Sequence, residues 1–192
     1  MVVASSNPGK IAELVDLLGD HFAVRPRPDD LADTIEDGDT LEANATKKAA
    51  EVAGHCGAVA LADDTGLFVD ALAGRPGVRT ARFAGPDATN EQNVDKLLTE
   101  LADVPDPADR RARFRTVIAL VTPGGEVQLA TGSVAGVIAP ERRGADGFGY
   151  DPVFIPDDGD GRTFAEMSRA DKQQISHRAR ALQQLLHQLG AG

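Results

Sequence analysis

Apolar and polar positions along this chain switch repeatedly between a period of two and a period near 3.6, which predicts strands alternating with helices. Val2-Val3-Ala4 opens as a short strand. Ile11, Leu14, Val15, Leu17 and Leu18 follow at helical spacing, and Phe22 to Arg25 can form a second strand. Thr40 is placed to N-cap a helix running to about Ala53, with Leu41, Ala45, Ala49 and Val52 on its buried side. Ala58 to Ala62 reads as a buried strand running into Asp63 and Asp64. Thr65 and Gly66 are expected to turn the chain before a further strand, Leu67-Phe68-Val69. Asn90 to Leu101 predicts a short amphipathic helix. Arg113 to Thr122 and Glu126 to Ile138, joined by Pro-Gly-Gly, predict a long hairpin with no side chains that point to chemistry, hence scaffold or dimer surface. Leu182, Leu185, Leu186 and Leu189 mark a last helix, for which Ser176 is a suitable N-cap.

The intervening stretches are a proline-broken acidic loop from Pro26 to Asp39, a Gly/Pro loop from Ala73 to Val78, and a Pro/Asp connector over 103–110. Neither repeats nor a linker divide the chain, so residues 1–192 are expected to form a single domain. A strand beginning at the first residue leaves no room for a signal peptide. The apolar runs are far too short for a membrane span. One cysteine, Cys56, forms neither a disulfide nor a thiolate zinc site within one chain. A cytoplasmic setting with no membrane partner is therefore expected. The net charge of −10 argues against a nucleic-acid polymer as partner, which would need a basic footprint. A small anion remains possible where basic groups gather. Lysine occurs only at Lys10, Lys47, Lys48, Lys96 and Lys172, and the acidic surplus is mostly Asp, a pattern that points to a salt-adapted surface.

Chemistry concentrates in a few stretches. Adjacent carboxylates at a strand end, Asp63 and Asp64, do not ionise comfortably together without a cation nearby. A hard divalent ion is the usual partner, although a solvated Asp-Asp turn has the same sequence. Ser5-Ser6-Asn7-Pro8-Gly9-Lys10 joins a strand to a helix N-terminus, where backbone N–H groups and the helix dipole favour an anion. Lys10 would add a point charge for phosphate. It is not a Walker loop, because Ile11 follows the lysine; an ordinary strand-to-helix turn is the alternative. Asn44 and Lys48 share a helix face, and only proximity to Asp64 would make them more than a solvent-facing pair. Gly147-Phe148-Gly149-Tyr150-Asp151-Pro152 could expose an aromatic face for a base to stack on, or could plug the core. Lys172 precedes Ser176-His177-Arg178, and cations in a helix's first turn oppose its dipole unless an anion or ligand acceptor lies near.

Taken together, these blocks resemble the inosine triphosphate pyrophosphatase family, the dITP/XTP pyrophosphatases. The similarity rests on Ser-Asn-Pro-Gly-Lys (6–10), Glu36 with Asn44 and Lys48, Asp-Asp-Thr-Gly-Leu (63–67) and Pro-Gly-Val-Arg-Thr-Ala-Arg-Phe-Ala-Gly (76–85). It continues in Gly-Phe-Gly-Tyr-Asp-Pro-Val-Phe (147–154) and Ile-Ser-His-Arg (175–178). The resemblance implies an α/β fold with an elongated mixed central sheet, flanking helices and two lobes around a nucleotide cleft, assembled as a homodimer. It implies hydrolysis of non-standard purine nucleoside triphosphates to monophosphate and pyrophosphate, with Mg²⁺ as cofactor and Mn²⁺ able to substitute. Asp64 would be the proton acceptor and a metal ligand, with Glu36 the second metal carboxylate. Ser6, Asn7 and Lys10 would hold phosphates with Lys48 nearby, and Ser5, Pro8, Gly9 and Thr65 would also belong to the substrate site. Phe148, Gly149, Tyr150 and Asp151 would contact base and sugar, and Lys172, His177 and Arg178 would close over the purine. Thr65 stands where Ser is commoner, Ser6 where Thr is common, and Ala43 where an acidic residue often precedes the Asn. A non-catalytic nucleotide sensor and a pyrophosphatase for modified pyrimidines are the rival readings; a sensor would need no water-activating base.

Overall fold

The computed structural model describes residues 1–19 and 21–190. In chain order its elements are β1 (Val2–Val3), α1 (Pro8–Leu18), β2 (Arg25–Pro26), α2 (Leu41–Cys56), β3 (Ala60–Val69) and β4 (Pro76–Gly77). They continue with α3 (Asn90–Glu100), β5 (Arg111–Val121), β6 (Val127–Ile138), β7 (Phe154–Pro156), α4 (Arg169–Ile175) and α5 (His177–Gln188). The strands form one sheet in the order β2-β1-β3-β5-β6-β7, with β4 paired to β3. Strand β1 is parallel to β2 and β3, whereas β3–β4 and β6–β7 are antiparallel, so the sheet is mixed as expected. Contacts divide the chain into two units. The first comprises Met1–Asp64, Thr116–Gly132 and the chain from Arg178 onward; the second comprises Thr65–Arg115 and Ser133–His177. Among the described residues no helix is long and apolar enough to cross a membrane.

In the first unit, Val3, Leu61 and Ile118 pack with Leu14 and Leu18 of α1 and with Leu182 and Leu185 of α5. Both residues of β1 are fully buried, which is where short parallel apolar strands belong. Helix α1 starts earlier than its apolar spacing indicates. The Asn7 side chain accepts from the N–H groups of Gly9 and Lys10, and Pro8 brings a preset φ to the first helical position. Residues 8–10 are therefore helix rather than loop. Helix α2 is capped by Thr40 as expected and runs on to Cys56, ending at Gly57 in the left-handed region. The expected strand Phe22 to Arg25 is reduced to Arg25–Pro26.

The expected turn at Thr65-Gly66 does not occur: Ala60–Val69 is one continuous strand. Gly66 is there for close approach. A Cβ at that position would lie 2.8 Å from the Phe68 ring and 2.9 Å from the Gly77 carbonyl oxygen. The partner at that approach is β4, a short strand inside the stretch expected to be irregular, with Leu67 opposite Gly77 and Phe68 opposite Pro76.

The second unit has its own core, in which Phe114 meets Phe154 edge-on at 4.7 Å between ring centres, and Leu97 and Leu101 contribute from the α3 side. Thr80 ties three segments of this unit together. Its hydroxyl accepts from the Leu67 N–H at 2.7 Å and donates to the Gly77 carbonyl at 2.5 Å, while its own carbonyl accepts from the Tyr150 hydroxyl at 2.9 Å. Replacing that hydroxyl by a methyl strands a buried N–H. Thr80→Val should therefore lower the unfolding free energy by about 1–3 kcal/mol in chemical denaturation. A loss within the error of the measurement would show that the hydroxyl is not a structural tie.

Candidate active site

Asp63 and Asp64 are neighbours on β3 with side chains on opposite faces of the strand, and they have been given opposite environments. Asp63 is 1% exposed. Its Oδ2 accepts from Arg178 Nε at 3.1 Å and Nη2 at 3.0 Å, with Lys10 Nζ at 3.2 Å. Arg178, itself 1% exposed, also donates through Nη1 to Glu13 on α1. Burial alone would raise the Asp63 pKa, but the charges of Lys10, Arg178 and Lys48 outweigh it and hold the carboxyl well below the usual range. Asp63 is thus held ionised and anchors two cations.

Asp64 differs. Burial raises its pKa above the ordinary value, and the nearby Glu36 carboxylate adds to the rise; Lys48, Lys10 and a hydrogen bond from Asn44 oppose it without prevailing. Its Oδ2 accepts from Asn44 Nδ2 at 3.1 Å, and its Oδ1 lies 3.7 Å from Lys48 Nζ. The same Lys48 ammonium donates to Glu36 Oε1 and to the Asp63 carbonyl, both at 2.6 Å. Asn44 and Lys48 therefore meet the condition set by the sequence, proximity to Asp64. Burial would lower the Lys48 pKa, but Asp64, Asp63 and Glu36 together raise it, so it stays charged. Lys10 moves the other way: burial lowers it, opposed by Asp63 and reinforced by Lys48 and Arg178. Two carboxylates whose proton affinities are pushed apart beside each other are the usual preparation for acid–base work.

The Ser5–Lys10 segment lies at the mouth of α1 as expected, although its helix-end N–H groups are already engaged. Asn7 Oδ1 accepts from Gly9 at 2.9 Å and Lys10 at 3.2 Å, and Ser5 Oγ accepts from the Asn7 N–H at 3.2 Å. An anion there would rely chiefly on the dipole and on Lys10. Ser6 is exposed, and Thr65 is half-buried on β3 in the second unit.

The remaining candidates gather in the second unit. Asp151 Oδ2 accepts from the Phe148 N–H at 2.9 Å and from Lys172 Nζ at 2.6 Å. That ammonium also lies 5.0 Å over the Phe148 ring. Gly147 has φ 78°, and a Cβ on it would fall 2.1 Å from the Asp151 carboxylate, so only glycine fits the loop. Gly149 also has positive φ. Phe148 is half-buried, keeping part of its surface available. Tyr150 is 3% exposed with its hydroxyl bonded to Thr80, so its ring belongs to the core and any contact with base or sugar is left to its backbone. His177 stacks on Phe114 with ring centres 4.5 Å apart and an angle of 18°. A hollow of about 170 Å³ beside Phe148 and Gly149, lined also by Asn90, Glu91, Arg142 and Asp146, is too small to take a nucleotide by itself.

Sequence reasoning missed three participants. Glu13 was not singled out, though it follows Lys10 by about one helical turn, which was the available signal. Phe114 lay in a hairpin read as scaffold; its place among buried alternate positions of β5 marked it as inward-facing, but nothing marked it as a support for His177. Asp37 was not singled out within the acidic loop, and its carboxylate pairs with Lys47 at 2.7 Å.

Fold and cluster together define a mixed α/β protein with a lysine-ringed carboxylate centre. The chain belongs to the Ham1 family, whose model matches residues 1–188. It is 46% identical over 185 residues to a dITP/XTP pyrophosphatase of Shouchella clausii, covering 95% of this chain and 92% of that protein. To the dITP/XTP pyrophosphatase of Bacillus subtilis it is 42% identical over 193 residues, covering 96% and 93%. A solved HAM1 protein from Coxiella burnetii superposes with a TM-score of 0.86 at 39% identity, over 100% of this chain and 98% of that one.

The opposed environments of the two carboxylates predict opposite responses to neutralisation. Asp63→Asn leaves buried cations uncompensated and should cost about 3–5 kcal/mol of stability at neutral pH. Asp64→Asn removes a charge that the fold already disfavours, so stability should hold or rise. The signs follow from linkage. The lowered Asp63 pKa gives stability present above the ordinary carboxylate value and lost as pH falls through the depressed folded value. The raised Asp64 pKa gives stability present below the ordinary value and lost as pH rises through the folded one. Denaturation midpoints of both variants, measured across pH, check this; equal losses for the two would contradict it.

Proposed function

We propose that this chain hydrolyses non-standard purine nucleoside triphosphates, ITP, dITP and XTP, at the α-phosphorus, giving the monophosphate and pyrophosphate. The observation that carries the reading is Asp64: a carboxylate with raised proton affinity, held by Asn44 on one oxygen and facing Lys48 and Glu36 with the other. Membership of the Ham1 family and the names of its relatives support the reaction class.

The donor set suits a hard cation. Glu36 and Asp64 already converge on one positive charge, the Lys48 ammonium, at 2.6 and 3.7 Å. Among the described residues no group of three or more His, Cys, Asp or Glu could hold a metal ion by itself. Mg²⁺ takes one or two carboxylates and completes its shell with water and substrate phosphate oxygens. Glu36 and Asp64 would hold it, with Mn²⁺ able to substitute; when bound it neutralises phosphate charge and orients water. Asp64 takes the proton of the attacking water as the new P–O bond forms. Lys10 and Lys48 receive the negative charge that grows on the departing pyrophosphate, work suited to compact ammonium groups. Asp63 keeps Lys10 in place throughout.

Base choice follows from hydrogen-bond direction. Hypoxanthine and xanthine present a 6-keto acceptor, adenine a 6-amino donor. Lys172 carries donors only, so an amino group facing it would meet donors in a desolvated setting. Phe148, with Lys172 over its ring, offers the stacking face. Arg178 takes no part in this reading, because its guanidinium is committed to Asp63 and Glu13. Homodimeric assembly, which rests on the family resemblance, and a cytoplasmic setting, which rests on the sequence, belong to the same reading.

A nucleotide panel with separate detection of pyrophosphate and orthophosphate is the test. Activity should need Mg²⁺, vanish with chelator and release pyrophosphate. Discrimination of ITP over ATP in kcat/KM should approach the roughly 10⁴-fold typical of sites that leave buried polar groups unmatched. Asp64→Asn should lower turnover by about 10²–10⁴-fold. Orthophosphate as the first product, or comparable kcat/KM for ATP and ITP, would contradict the proposal.

A further inference from the structure

Glu36 lies between β2 and α2, in residues 27–40, which form no helix or strand. Its position is set instead by a row of contacts to α2. The Thr34 hydroxyl donates to the Glu51 carboxylate. Lys47 Nζ donates to the Ile35 carbonyl at 2.9 Å and to Asp37 Oδ1 at 2.7 Å. Lys48 Nζ donates to Glu36 Oε1 at 2.6 Å, and Asn44 Oδ1 accepts from the Gly38 N–H at 2.9 Å. Residues 44, 47, 48 and 51 share one side of a helix, and the segment from Thr34 to Gly38 is laid antiparallel along it. Asn44 is shared: its oxygen holds the segment while its nitrogen holds Asp64.

Lys47 has a distinct place in this row. Its ammonium grips the residues on either side of Glu36 and not the Glu36 carboxylate itself. A carboxylate on an irregular segment keeps a fixed direction only if the backbone flanking it is fixed. We propose that Lys47 is a positioning residue for the cation site, holding Ile35 and Asp37 so that Glu36 is presented beside Asp64. This rests on the reading of Glu36 as a metal carboxylate. The Lys47–Asp37 pair is largely exposed, so it contributes little to global stability. Its effect should appear in cation affinity, as it does for residues that orient a ligand without being one.

The experiment is Mn²⁺ binding to the full-length chain without nucleotide, followed by the electron paramagnetic resonance signal of free Mn²⁺. Lys47→Met should weaken binding about tenfold, at the lower end of the range for such partners, with the melting temperature unchanged. Lys47→Arg, whose guanidinium can still donate to both groups, should restore most of it. Glu36→Gln should weaken binding as well, and adding Lys47→Met to Glu36→Gln should cost nothing more, because the lysine acts through that carboxylate. Unchanged affinity in Lys47→Met alongside a loss in Glu36→Gln would overturn the positioning role and leave the reading of Glu36 standing. A further tenfold loss in the double variant would also overturn it. Unchanged affinity in Glu36→Gln would remove Glu36 from the site, and Lys47 with it.

Discussion

The first unit is built around one buried carboxylate that neighbouring cations hold ionised. Asp63 sits at 1% exposure with Lys10 and two nitrogens of Arg178 on the same oxygen. Its burial is costly, and only the convergence of those cations offsets the cost. Three separate parts of the chain are held by that requirement: α1 through Lys10 and Glu13, β3 through Asp63, and the start of α5 through Arg178. Breaking any member leaves an uncompensated charge inside the protein, so the cluster fixes the strand on which Asp64 also lies.

With Asp63 committed to structure, its neighbour is released for chemistry. Side chains of adjacent strand residues point to opposite faces, so Asp64 lies among a different set of groups: Asn44 and Lys48 from α2, and Glu36 from the segment strapped along that helix. Here the balance of burial and charge runs toward retaining a proton. Lysine is scarce in this acidic chain, and three of the five, Lys10, Lys47 and Lys48, serve this one region. The second unit has an analogous economy, with Lys172 serving both the Asp151 carboxylate and the Phe148 ring. The net charge of −10 therefore describes the surface and says little about these two centres.

Much of this was readable from residue order, and the failures are instructive. Strands β1 and β3, the helices α2 and α3, the long hairpin and the Asp-Asp pair carry local signals of period or capping, whereas β4 lay in a stretch expected to be irregular and β7 and α4 were not anticipated. Thr65-Gly66 misled because Gly next to Thr is turn chemistry, whereas its true cause, the close pass of β4, is a long-range fact. Asn7 was read as part of a phosphate loop, but its capping bonds begin the helix one turn sooner. The Asp-Asp pair was legible as a site and the resemblance set Asp64 apart, but the structural task of Asp63 was not legible, since it depends on Arg178 arriving from 115 residues downstream. The roles of Glu13 and Phe114 were missed for the same reason: each matters through a partner on a distant segment.

The central claim is that adjacent carboxylates on β3 hold protons with opposite tendencies. Carbonyl-carbon NMR titration of aspartate-labelled protein, with Asp63→Asn and Asp64→Asn used for assignment, measures this directly. Asp64 should titrate above the ordinary carboxylate value of about 3.9, while Asp63 remains ionised through the whole range in which the protein stays folded. Titration of both groups together near the ordinary value, or an Asp63 midpoint above that of Asp64, would contradict the account.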